Sequence, residues 1–169
     1  MSGVGKFAVI AAVAAGIVFA APALAVTTVN FNATVAEPLG GPVSSPFTCS
    51  TGDLCGSGVA LPLGHVTESI VFGGGCGGAC DLRTITFADG STLVLEETEG
   101  ESSCPGSSDC RPFNDHSYGN PFAIPLTDTV NGALSTGMFA GATGTLTGQV
   151  RVAGAIAIIT LSGTITLAS

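Results

Sequence analysis

Two carboxylates interrupt rows of apolar residues that recur at every second position. Glu68 shares parity with Val66, Ile70 and Phe72, and Asp128 with Phe122, Ile124, Leu126 and Val130. A period of two belongs to a strand with one buried face, so both acids point inward with their neighbours. Burial raises a carboxyl pKa and suits the group to proton transfer or to holding a ligand. The opposing reading has Pro125 invite a bulge that turns Asp128 outward, and has Glu68 near a strand end. Glu68 and Asp128 are the candidate ligand-binding pair. No residue is assigned a catalytic role.

Other constellations are poorer. Glu96, Glu97, Glu99 and Glu101, with Asp109, Asn114 and Asp115, offer the oxygen ligands that Ca²⁺ takes but no regular loop spacing. They read as a solvated, self-repelling loop. His65 and His116 are too few for a zinc site. A Ser–His–Asp set drawn from His116 and Asp115 lacks the G-x-S-x-G elbow. Asn32-Ala33-Thr34 is a formal glycosylation sequon inside a strand. No metal or cofactor is assigned.

The elements that must position the two acids begin after a leader. Lys6 precedes an apolar run from Phe7 to Ala21, and Ala23 and Ala25 give the small-x-small pattern of a cleavage site before Val26. Residues 1–25 are read as a signal peptide and 26–169 as one secreted, extracellular domain with no membrane anchor after cleavage. That domain keeps three Arg against twelve acids, a net charge of −9, which excludes nucleic-acid binding through phosphate neutralisation. All six Cys fall within it as near neighbours, Cys49 and Cys55, Cys76 and Cys80, Cys104 and Cys110. In an exported chain they read as three local disulfides, each worth about 2 kcal/mol on the chain-entropy model. Six Cys allow about fifteen pairings, and spacing alone does not choose among them.

No segment after Val26 sustains a helical period; apolar residues alternate with Thr, Ser and Asn instead. Strands are expected over 29–35, 66–72 and 122–130, a hairpin over 84–97, then two alternating strands to the C-terminus. Residues 36–64 and 98–120 are expected as loops. A three-residue loop Ala88-Asp89-Gly90 pairs Ile85 with Leu93 and Phe87 with Ser91, which keeps Ile85, Phe87, Leu93 and Leu95 on one face. In the last hairpin, an even turn at Ala153-Gly154 sets Val150 opposite Ala157, Gly148 opposite Ile159 and Leu146 opposite Leu161. Gly144, Gly148 and Gly163 then lie on the apolar face, and alternating small and large inward residues suit a small closed barrel. Ile156 and Ile158 fall outside, through a bulge or as an exposed patch of the kind that marks homo-oligomer contacts, and local packing under a loop is the reading preferred.

The run Ser135-Thr136-Gly137-Met138-Phe139-Ala140-Gly141-Ala142-Thr143-Gly144 before the last two strands resembles the secreted allene-oxide-cyclase-like barrels, relatives of the dirigent barrel. That family carries a G-T-G-R-F-x-G-A-T-G turn at this place, and Met138 stands where it usually has Arg. The opening strand Asn30–Val35 also fits. The resemblance implies an antiparallel barrel of about eight strands and carries no activity across, because no position matches a cyclase catalytic residue.

The expectation is an all-β, small antiparallel barrel with long disulfide-stapled loops. Its function is read as non-catalytic: binding a small apolar ligand, or serving as a stable extracellular module. Two alternatives stand beside it, an isomerase or cyclase using the lumen carboxylates, and an immunoglobulin-like adhesion sandwich.

Overall fold

The computed structural model describes residues 27–39, 52–101, 122–153 and 156–168. The leader, Cys49, Cys104, Cys110, Asp109, Asn114, Asp115 and His116 lie outside them. Eight strands follow one another: β1 Thr27–Pro38, β2 Leu54–Leu61, β3 Gly64–Gly75, β4 Cys80–Phe87, β5 Thr92–Glu99, β6 Phe122–Val130, β7 Thr143–Ala153 and β8 Ile156–Leu167. Each pairs antiparallel with its neighbour in sequence, and β8 closes on β1 through twelve residue pairs from Thr27–Leu167 to Pro38–Ile156. The ladder is a closed barrel, so the immunoglobulin-like sandwich is ruled out as the architecture.

Alternation builds the core. Phe31, Ala33 and Val35 of β1, Ile85 and Phe87 of β4, Leu93 and Leu95 of β5, and Leu146 and Val150 of β7 are buried, as are Ile159, Leu161 and Ile165 of β8. The positions between them carry Thr, Ser, Asn and Gln, save Val94 of β5, which is also buried. The β4–β5 hairpin has the expected register, Ile85 opposite Leu93. The Phe87 N–H donates to the Ser91 carbonyl at 2.9 Å, and Gly90 takes the left-handed conformation (φ +84) that such a loop requires.

Four expectations are corrected. Within the stretch read as a loop over 36–64 lies β2, whose Gly56, Ser57 and Gly58 hide the alternation. The last hairpin is slipped by two residues from the expected register: Val150 faces Ile159, Gly148 faces Leu161 and Leu146 faces Gly163. The same side chains stay inside, because a slip of two preserves parity. The observed register sets each large leucine against a bare backbone. A Cβ on Gly148 would lie 2.9 Å from Leu161 Cδ2, and one on Gly163 would lie 2.9 Å from Leu146 Cδ2. Phe72 does not continue the inward row of Val66, Glu68 and Ile70; it is 45% exposed, because the β3–β4 register shifts between Val71 and Gly75. Asp53 and Asp81 hold this irregularity, accepting from the Phe72 and Gly73 N–H at 2.9 and 2.7 Å. Lastly, β5 runs on to Glu99, so Glu96, Glu97 and Glu99 belong to a strand and not to a solvated loop.

The two ends of the barrel differ. One carries the 88–91 turn and the β6–β7 connection, which folds over the mouth. There Ser135 Oγ accepts from the Val94 N–H at 2.9 Å and donates to the Asn131 carbonyl at 2.8 Å. The 3₁₀ turn Gly137–Phe139 then inserts the fully buried Phe139 beside Phe87, ring centroids 4.9 Å apart. Phe31 packs edge-on to Phe87 at 6.4 Å. This is the aromatic end. The other, the cystine end, carries the turn closed by the Cys76–Cys80 disulfide. Cys55, at the start of β2 on that end, is also disulfide-bonded.

Candidate functional site

The inward rows of five strands turn from apolar to charged inside the barrel. Glu37 extends the row of Phe31, Ala33 and Val35 on β1; Glu68 stands between Val66 and Ile70 on β3. Arg83 continues the row of Ile85 and Phe87 on β4, Glu97 that of Leu93 and Leu95 on β5, and Asp128 lies between Leu126 and Val130 on β6. All five are buried: 3% exposed for Glu37, 4% for Glu68, 1% for Arg83 and Glu97, and 0% for Asp128. Glu68 and Asp128 thus lie inward, as parity predicts. No bulge forms at Pro125: the β6–β7 ladder runs unbroken through Pro125–Gln149.

Arg83 is the hub. Its Nε donates to Glu97 Oε2 at 2.6 Å and its Nη2 to Glu97 Oε1 at 2.9 Å, a two-toothed pair across adjacent strands. Its Nη1 donates to Glu37 Oε1 at 3.2 Å, and the same nitrogen is in ion-pair contact with Glu68. Glu37 reaches it past Gly56 of β2, where a Cβ would lie 2.9 Å from Glu37 Cγ. Gly56 sits opposite Glu68 in the β2–β3 ladder, so one bare position clears space for both acids. Asp128 lies directly opposite Glu97 in the β5–β6 ladder. Among the described residues neither Asp128 oxygen receives a hydrogen bond, and Glu68 is met only through the ion-pair contact of its Oε1 with Arg83.

Electrostatics follows from one guanidinium among four acids. Burial pushes the Asp128 carboxyl up to about 8, with the neighbouring Glu97 charge adding to it and the Arg83 charge opposing it. In its neutral form Asp128 donates to Glu97, which favours the proton further. Glu37 is also raised, first by burial and then by Glu97, against the pull of Arg83. Burial would lower Arg83, but Glu97, Glu37 and Asp128 together outweigh it and hold the guanidinium charged.

Toward the cystine end the same rows stay acidic. Asp81 pairs with Glu97 across β4–β5, and carboxylate oxygens of Asp81, Glu97 and Glu99 lie within 4.8 Å of one another. Glu99 is raised by partial burial and by Asp81 and Glu97. Two of these acids already have donors, Arg83 on both Glu97 oxygens and the Gly73 N–H on Asp81 Oδ1. Of the sequence-expected acidic group, Glu97 is a lumen residue, whereas Glu96 accepts from Asn131 Nδ2 at 3.1 Å. His65 is exposed on β3 and joins no cluster among the described residues.

Glu37 and Arg83 were not singled out from sequence, and Glu97 only as part of a solvated acidic loop, yet each carries the parity of its apolar row. The chemistry open to such a site is to hold a ligand's donors or to exchange protons. Comparison of the chain with protein-family models, curated proteins and solved structures gives no match.

Proposed function

We propose that the chain is a secreted, non-catalytic barrel module that takes a small, mainly apolar ligand into its lumen, oriented by Glu68 and Asp128. One observation carries this reading: both oxygens of Asp128 and Oε2 of Glu68, on carboxyls more than nine-tenths buried, receive no hydrogen bond from any described residue. Unsatisfied buried acceptors cost roughly 1–3 kcal/mol each, a cost that a ligand's hydroxyl or amine would relieve. Export is supported by the leader pattern and by the Cys76–Cys80 bridge. Kinship with the allene-oxide-cyclase-like barrels rests on the Ser135–Gly144 resemblance, and the eight-stranded closure is in keeping with it. Ile156 and Ile158, exposed side by side on β8, suit a homo-oligomer contact.

The test is titration of the purified chain with Nile red, an uncharged apolar dye, followed by displacement with long-chain alcohols. Binding in the wild type, with displacement weakened about tenfold in Glu68→Gln and Asp128→Asn, is the expected result. Equal displacement in all three proteins would refute it. A proton-transferring isomerase or cyclase is the second reading, favoured by the Asp128 carboxyl at about 8 beside Glu97. It requires that Asp128→Asn abolish turnover while leaving dye binding in place.

A further inference from the structure

Among the described residues, the lumen contains four carboxyl groups, Glu37, Glu68, Glu97 and Asp128, around the single guanidinium of Arg83. Fully ionised, this group would bury a net charge of −3 away from water. Burying each unpaired ion costs several kcal/mol, so such groups shift their pKa and neutralise instead. The compensating positive charge does not come from the surrounding strands. The other inward residues facing the group are Gly56, Gly58 and Ala60 on β2, Gly144, Leu146, Gly148 and Val150 on β7, and Ala157, Ile159 and Leu161 on β8. The remaining described cationic side chains, Arg151 and His65, are exposed on the outside. Toward the cystine end the neighbours are Asp81 and Glu99, which add negative charge.

We infer that the lumen cluster is a proton-binding site: the folded barrel holds protons on its inward acids at neutral pH, and unfolding releases them. The geometry says where. Both oxygens of Glu97 are committed to Arg83 as acceptors, so Glu97 is the ionised partner. Asp128 faces Glu97 across β5–β6 and receives no donor, so it is the group best placed to carry a proton and give it to Glu97. Glu37, which shares Arg83 through one longer bond, is the second. This inference needs no ligand and stands whether or not the lumen binds one.

The sign of the consequence is fixed by linkage. Asp128 titrates near 3.8 when ordinary and near 8 when folded, so between these values the native state binds a proton that the unfolded chain does not. Stability is therefore greatest below the unfolded value and is lost as pH rises through the folded one. Each such proton raises the unfolding constant about tenfold per pH unit across that window.

The experiment is infrared difference spectroscopy of the wild-type chain, with ¹³C-labelled aspartate, at pH 7 and at pH 10, joined to thermal melts from pH 4 to 9. The expected results are an aspartyl carbonyl stretch of a protonated carboxyl at pH 7 that vanishes at pH 10, and a melting temperature that falls as pH rises. Asp128→Asn should remove the band and flatten the slope by one proton, while Glu96→Gln, on the outer face, should leave both unchanged. A wild-type spectrum with every aspartyl carboxylate ionised at pH 7, or equal slopes in wild type and Asp128→Asn, would overturn the inference. The wild-type spectrum decides even where the variant fails to fold. Dye binding that fails while the band persists would remove the ligand reading alone.

Discussion

Arg83 does at one position what four acids require. Replacing it with Met would leave Glu97, Glu37 and Glu68 without their common donor in a dry interior. Loss of one partner from a buried ion pair costs about 3–5 kcal/mol, and the expected outcome is a fall of that size in urea-unfolding free energy at pH 7. Lys at the same position keeps the charge but not the fork that grips both Glu97 oxygens, so it should recover only part of the loss. Glu37 and Asp128 are raised by burial and take up protons as pH falls, so the Arg83→Met defect should shrink toward pH 4. The residues of this group were half legible. Glu68 and Asp128 stand in the middle of apolar rows, where flanking residues on both sides fix their parity. Glu37, Arg83 and Glu97 stand at the ends of theirs, where alternation cannot say whether the strand continues. A charge at a row's end ordinarily marks its exit to solvent. Here each charge is tolerated inside by partners on other strands, as with Arg83 and Glu37, 46 positions apart.

At the scale of elements, glycine decides where the β7 and β8 strands engage. Gly148 and Gly163 each lie opposite a leucine, and a methyl group at either meets both backbone and side-chain atoms. Gly163→Ala should cost about 1–3 kcal/mol through overpacking, seen as a lower melting temperature with an unchanged far-ultraviolet spectrum. The sequence pattern places both glycines inside but not opposite their leucines, because parity is blind to a slip of two residues. The β4–β5 register was readable because its short loop fixed it: only one loop length kept Ile85, Phe87, Leu93 and Leu95 together. β2 escaped for the reverse reason. Its inward positions are Gly56, Gly58 and Ala60, too small to announce a buried face, and their smallness is what lets Glu37 and Glu68 reach Arg83.

Taken whole, the molecule is a ring of sequential neighbours with one long-range seam, β1 on β8, and that seam removes the open edges through which sheets aggregate. Closure was expected from the alternation of small and large inward residues, whereas the polar content of the interior arises only once five strands are brought round a common axis. The seam also dictates where the outer ends of the first and last strands meet. Thr27 is hydrogen-bonded alongside Leu167 at the pole capped by Phe139, opposite the pole rich in carboxylates. Partnered residues of such a ladder lie only about 5 Å apart, so a few glycines would join them into an endless loop. Severing that loop between β5 and β6 should give a circular permutant with the parent's midpoint of denaturation. Cargo tethered directly at Thr27 or Leu167 would hang clear of the acidic pole.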